Sequence, residues 1–530
     1  MAAQELERAM QAMRLPGQPR PYYGSILIRD ERAWTLQAKY GSLSIETDER
    51  KRNGYVDIRV GSYRNDQVRE GGLEDNDKEA ESFGFIELPF GAGDGLRHGL
   101  WRLIDSRYRE AVEALLDKRS HQLTYRDGNR ELQAFERAEP IVDLGAQPLP
   151  EVDVERWRDY VLQASKKLKS FPELADSYVE FQADHLRRTF VNSEGSRIVQ
   201  SQSFWTVEAY LWMLSPRGDA FPWSVRQMVC DPTELPDIAS LMRDVRAAIK
   251  QLRALAEAPM LNAYCGPALL EPVPAGLLLH EALGHRLEGH RLLASGEGQT
   301  FKGVIGERVI PEFLTLHDDP SLALYGQHSL VGHYRYDDEG SPAADANLIE
   351  RGVLRGYLTG RTGVTKRHQN NGHARSRGHQ RPISRMGVLI AEAHERHSAA
   401  ELKRLLLEEI KRQGVPFGIR IIEASSGETA TDAYNFQAFM GEVNLAAKVY
   451  PDGREEFVRG VNFVGTPLNV VRGIIAAGDQ VAVDNAWCGA ESGYVPVSTV
   501  SPALLVSELE LQSKPDTPYA PYTFPIPWKR

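Results

Sequence analysis

The sequence predicts an α+β protein: a mixed α/β N-terminal domain, then a β-rich, barrel- or sandwich-like C-terminal domain, joined by a helix that carries histidines. Three observations predict this. Helical and strand patterns alternate from Met1 to about residue 260. From Phe301 onward, short apolar runs separated by turn signals take over. Between them, Gly276-Leu277-Leu278-Leu279-His280-Glu281-Ala282-Leu283-Gly284-His285 is an apolar helical run carrying H-E-x-x-x-H. The expected division is 1–260, 261–513, and a proline-rich extended tail at 514–530.

The N-terminal half reads in order as follows. A charged helix opens the chain, with no apolar core of a secretion signal before Arg20, so no signal peptide is expected. Ser25–Ile28, Trp34–Ala38 and Tyr55–Val60 read as short strands, and 64–82 as an exposed polar loop. Phe83–Phe90 reads as extended, followed by Gly91-Ala92-Gly93-Asp94-Gly95 and a helix over Leu96–Leu116. Leu96 stands where a dinucleotide fingerprint needs its third glycine, so the turn reads as a plain connection. A helix over Val154–Lys169 precedes paired strands at Tyr178–Ala183 and Thr189–Val191. A turn at Asn192–Gly195 leads into Ile198–Leu214, and a helix covers Pro232–Glu257.

In the C-terminal half, Ala399–Arg412 is the one further helix with a convincing apolar stripe. Turn signals stand at Asp337–Pro342, Glu350–Gly352, Pro451–Gly453 and Ala476–Asp479. The triplet Asp337-Asp338-Glu339 reads as a solvated hairpin turn rather than a hard-cation site. Asn370–Arg385 is a polar loop.

Bulk properties exclude several classes. The chain has 530 residues, 42% hydrophobic and 26% charged, as ordinary globular proteins do. A net charge of −10 with no basic run argues against nucleic acid as a partner. No apolar run reaches about 18 residues, so no membrane partner is expected. Cysteines number three, Cys230, Cys265 and Cys488, which suits a reducing cytoplasm and no disulfide framework.

The chemistry concentrates at His280, Glu281 and His285. Imidazole suits zinc, and a neighbouring carboxylate can take a proton from water. Histidines five apart on a regular helix diverge by about 140°, against about 40° at a spacing of four. A π-bulge would absorb the extra residue, and Gly284 would ease it. Two ordinary helix histidines are the competing reading. The residues alone leave the third ligand open among Glu288, His290 and Cys488, the last on a glycine-flanked turn.

The segments Tyr264–Pro267 and Gly276–Gly289, with Asp337–Pro342, Gly352–Leu358, Arg385-Met386 and Asp484–Gly489 in that order, resemble the TldD-like branch of the TldD/TldE (PmbA) zinc metalloproteases. The resemblance covers about 260–512. It implies His280, His285 and Cys488 as ligands to one Zn2+ per chain and Glu281 as the catalytic acid/base. It also implies an enclosed cavity where unfolded or flexible peptides are cleaved, in a homodimer or a heterodimer with a TldE/PmbA-like subunit. His290 stands where the family more often has aspartate, and the N-terminal half is long. His373, Arg375, His379 and Arg385 are expected candidates for contacting substrate or an oxyanion. The rival expectation is a non-catalytic or metal-binding subunit that shapes a protease chamber.

Overall fold

In the computed structural model the described residues are 1–69, 87–124, 132–146, 148–215, 217–294, 296–297, 299–431, 439–514, 518–519, 524 and 527. Most of the expected 64–82 loop, the start of Phe83–Phe90 and most of the tail lie outside them. Helix α1 (Ala2–Ala12) leads into two long strands, β1 (Pro21–Lys39) and β2 (Ser42–Ser62). Helices α2 (Asp94–Thr124) and α3 (Val154–Lys167) precede β3 (Leu174–Asn192), β4 (Arg197–Leu214) and β5 (Ala220–Val229). The sheet runs Asn65–Asp66, β2, β1, β3, β4, Val142–Asp143, and β5 also pairs with β4. Helix α4 (Ile238–Glu257) completes this half.

Strand periodicity of two sorts the side chains of β1. Even positions are core: Ile26 and Ile28 pack with Leu100 and Ile104 of α2. Trp34, Leu36 and Ala38 pack with Trp157 and Val161 of α3 and with Val245 and Leu252 of α4. Odd positions face the C-terminal half, where Arg29 binds Asp338 (3.0 Å) and Glu31 binds Arg377 (3.3 Å). This corrects the short strands expected from the sequence. β1 runs unbroken through Asp30-Glu31-Arg32, and β3 through Asp184–Arg188, because Glu31, Asp184 and Arg188 have partners across the seam while Asp30 and Arg32 pair with Arg52 and Asp48 of neighbouring β2.

The C-terminal half begins with β6 (Tyr264–Leu270) and α5 (Pro272–Leu279) and continues to α6 (Ala399–Gln413). Strands β7 (Gly418–Thr429), β8 (Phe439–Val449), β9 (Ile474–Ala490) and β10 (Gly493–Ser513) follow. Helix α6 matches its expected bounds: Ser398 and Glu401 form a capping box, and Gly414 closes the helix at φ 67°. The Ala476–Asp479 signal is not a turn but an irregularity within β9, where the register against β10 shifts between Ala477 and Val481.

All these strands share one eleven-stranded sheet whose hub is β10. It pairs with β6, β9, Val388–Ala393 and Val461–Gly465. The path β10, Val461–Gly465, β8, β7, β6 returns to β10, so these five strands close a ring. Leu278, Leu279, Ala282 and Leu283, from the helix after β6, share a core with Ile419, Ile421, Phe463 and Leu504 of the ring. The apolar helix has ring strands to bury against, and that fixes where its histidines emerge.

The Asp337–Glu339 turn is where expectation and structure differ most. It is buried, not solvated. Asp338 accepts from Arg29 (3.0 Å), Arg188 (2.7 Å) and the Ser376 N–H (2.8 Å), tying β1 and β3 to the C-terminal half. Asp337 accepts backbone N–H groups of Glu339, Ser341 and Ala374. Burial alone would raise the Asp338 pKa, but the charges of Arg29 and Arg188 outweigh it and hold it at about 2. Removing this carboxylate leaves two guanidinium groups facing each other out of water. Asp338→Ala should therefore cost about 3–5 kcal/mol in denaturant unfolding. Because the folded pKa is depressed, the wild-type contribution is complete above about pH 4, the unfolded value. It is lost as pH falls through about 2, and the variant's stability should lack that acid-side slope.

Candidate functional site

The helix of α5 does not continue regularly. His280–Gly284 forms a π turn, followed by a 3-10 turn over His285–Leu287. The π turn takes up the fifth residue and brings the two imidazoles to 5.0 Å between ring centroids. Gly284 serves close packing as well as backbone ease: a Cβ there would lie 2.1 Å from the Met386 sulfur.

Cys488 reaches the same point from β9. Its Sγ lies 3.3 Å from His280 Nε2 and 3.4 Å from His285 Nε2, and all three residues are buried. A tetrahedral zinc with Zn–S near 2.3 Å and Zn–N near 2.0–2.1 Å separates sulfur and nitrogen by about 3.5 Å. The donor set and its spacing therefore fit zinc. Burial alone would raise the Cys488 pKa, yet His285, Arg385 and His280 hold it well below the usual thiol range. Burial likewise opposes protonation of the two histidines, but the charge of Cys488 outweighs it and raises both.

A buried network orients these donors. Glu288 accepts from His285 Nδ1 (3.1 Å) and Arg291 Nε (2.9 Å), which directs His285 Nε2 toward the sulfur. Arg385 lies 3.4 Å from Glu288 and donates to the Cys488 carbonyl (2.7 Å) and Sγ (3.3 Å). Arg291 is held in turn by Glu491 (2.9 Å).

Glu281 lines a cavity of about 430 Å³ together with His280, His285, Arg226, Asp484 and Cys488. Among the described residues, no side chain donates a hydrogen bond to its carboxylate. Gly427 of β7 lies directly against it: a Cβ there would come within 2.7 Å of Glu281 Oε1.

Other expected site residues are placed elsewhere. Glu288 grips the far nitrogen of His285, and buried His290 has neither ring nitrogen hydrogen-bonded among the described residues, so neither joins the three-donor cluster. His373 is held in the scaffold, its Nδ1 at Asn371 and its Nε2 3.2 Å from Asp318. Arg375 donates to the backbone carbonyls of Met386 and Pro496. His379 lines a separate shallow recess with Arg377, Trp487 and Tyr494. Arg385 is fully buried behind the sulfur, not on the cavity wall. His373, Arg375 and Arg385 satisfy buried backbone and carboxylate groups, so a polar stretch that reads as loop is internal scaffold. Sequence reasoning missed Arg226, Gly427 and Asp484 as cavity residues. Asp484 alone carried a signal, standing four positions before Cys488 on the same strand.

Residues 264–513 match the PmbA/TldA metallopeptidase C-terminal domain. A metalloprotease of Archaeoglobus fulgidus is 32% identical over 254 residues, 46% of this chain and 54% of the relative. A metalloprotease of Methanocaldococcus jannaschii is 24% identical over 457 residues, 84% of this chain and 94% of the relative. A zinc metalloprotease TldD homolog of Saccharolobus solfataricus is 25% identical, over 46% of this chain and 51% of its own length. The chain thus spans about half the length of two of these relatives. The crystal structure of TldE from Thermococcus kodakarensis superposes with a TM-score of 0.60 at 12% identity, covering 93% of this chain and 97% of its own. No described helix is long and apolar enough to cross a membrane.

If Glu288 acts by aiming His285, Glu288→Gln should weaken zinc binding by about 10–100-fold without abolishing it. Cys488→Ala should remove stoichiometric zinc altogether. Chelator competition on the purified variants separates these outcomes; equal loss in both would make Glu288 a ligand in its own right.

Proposed function

We propose, from the match of residues 264–513 to the PmbA/TldA metallopeptidase C-terminal domain, that this chain is a zinc-dependent metallopeptidase hydrolysing unfolded or flexible peptides. The observation that carries the reading is the approach of His280 Nε2 and His285 Nε2 to Cys488 Sγ at 3.3 and 3.4 Å. In the proposal these three residues hold one zinc per chain. Zinc, when bound, supplies Lewis acidity that makes water a better nucleophile and polarises a carbonyl.

The chain's own residues supply the rest. Glu281 takes a proton from the attacking water on a carboxylate oxygen and gives it to the departing amine nitrogen as the C–N bond breaks. Among the described residues no side-chain donor engages Glu281, which leaves both its oxygens available for that exchange. Gly427 keeps β7 close enough to confine the carboxylate. Peptide enters along the cavity walls of β7 and β9. We assign the working form to a homodimer or a heterodimer with a TldE/PmbA-like subunit, located in the cytoplasm.

Glu281→Gln should lower kcat for a flexible peptide by at least about 100-fold while zinc content stays at wild-type level. Undiminished cleavage would remove Glu281 from the reaction. Gly427→Ala should also lower kcat with zinc retained, because the added methyl displaces the Glu281 side chain. Protein that binds no zinc and digests no peptide, alone or with a partner subunit, would instead be a chamber-shaping subunit.

A further inference from the structure

A second cavity, of about 1060 Å³, lies between β5 and the strand ring. It shares Arg226, Ser425 and Asp484 with the cavity around Glu281, so the two adjoin at these residues. Its described wall is acidic: Glu208, Asp219, Glu234, Glu423, Glu442 and Asp484 face Arg226, Arg459 and Lys514. Asp219 is paired with Arg459 at 3.2 Å, and Glu234 accepts the Ser329 N–H. Glu423 and Asp484 differ. Neither takes a hydrogen bond or an ion pair from any described residue. Arg226, at the junction, points its guanidinium at the Met228 sulfur (3.6 Å) and makes no ion pair with either.

Two partly buried carboxylates without an ion-pair partner among the described residues, and close enough to repel, are unfavourable side by side. Burial, then the charge of Asp484, raises the pKa of Glu423; burial raises that of Asp484 despite Arg226 and His280. A cation entering between them relieves both effects. Asp484 sits four residues before Cys488 on β9, roughly 13 Å along the same face. An extended peptide covers that span in about four residues, and a lysine or arginine side chain shortens the requirement by one or two.

We propose that Glu423 and Asp484 form a subsite for a cationic side chain two or three residues from the scissile bond, making the enzyme selective for basic peptides. This rests on the metallopeptidase reading, but its test does not depend on turnover. Fluorescent flexible peptides carrying one lysine at successive positions, with norleucine and glutamate counterparts, are titrated into full-length Glu281→Gln protein by anisotropy and digested in parallel with wild type. The lysine peptide should bind at least about 10-fold tighter than the norleucine peptide, a gap that narrows with salt. Adding Glu423→Gln and Asp484→Asn should bring the lysine-to-norleucine ratio to about one. Equal binding of the three peptides by the otherwise unaltered protein, or a ratio that survives the double substitution, overturns the subsite. Lysine preference in binding with no cleavage of any peptide by wild type would instead sink the metallopeptidase reading and leave the subsite standing.

Discussion

The meeting of one sulfur with two imidazoles, drawn from positions more than 200 residues apart, is the constraint on which the architecture turns. Neither partner could adjust alone. The imidazoles share an edge of the helix only because one turn is π-wound, and that turn is held where Gly284 lets Met386 approach. The sulfur is delivered by β9, whose position is set by antiparallel pairing with β10 over most of its length. β10 pairs with β6 as well, and β6 runs into the helix. One strand therefore indexes both halves of the donor set.

Around that point, the protein keeps an unusual number of arginines out of water. Arg385 serves the sulfur, Arg291 serves Glu288, and Arg29 and Arg188 converge on Asp338. Arg361 joins Glu194 at 2.7 Å across the same seam. Each guanidinium has several donors in a fixed plane, so it can satisfy carboxylates and carbonyls from different elements at once. Such pairs add little net stability over apolar packing, but their geometry is directional, and orientation is what a three-donor cluster needs.

Much of this was legible in the letters. A five-residue histidine spacing in an otherwise helical run requires either divergent rings or an extra residue in a turn, and Gly284 marked the place. The run Ala399–Arg412 announced helix α6. What could not be read was context. Arg29, Glu31, Asp184 and Arg188 look like breaks in a strand, because their partners lie on the other half of the chain, as far as 349 residues away for Arg29 and the Gly378 carbonyl. Asp337-Asp338-Glu339 carries the composition of an exposed turn, and only the tertiary fold supplies the arginines and amides that bury it. His373 and Arg375 have the residue types of a reacting group, yet each is taken up by neighbouring acceptors.

The closing of the strand ring has a consequence for biosynthesis. Strand β10 completes the ring and stabilises the hairpin that presents the sulfur, so a ribosome-bound chain synthesised only as far as β8 holds two nitrogen donors and no third. The three donors therefore meet only after β9 has been synthesised, more than 200 residues after the histidines.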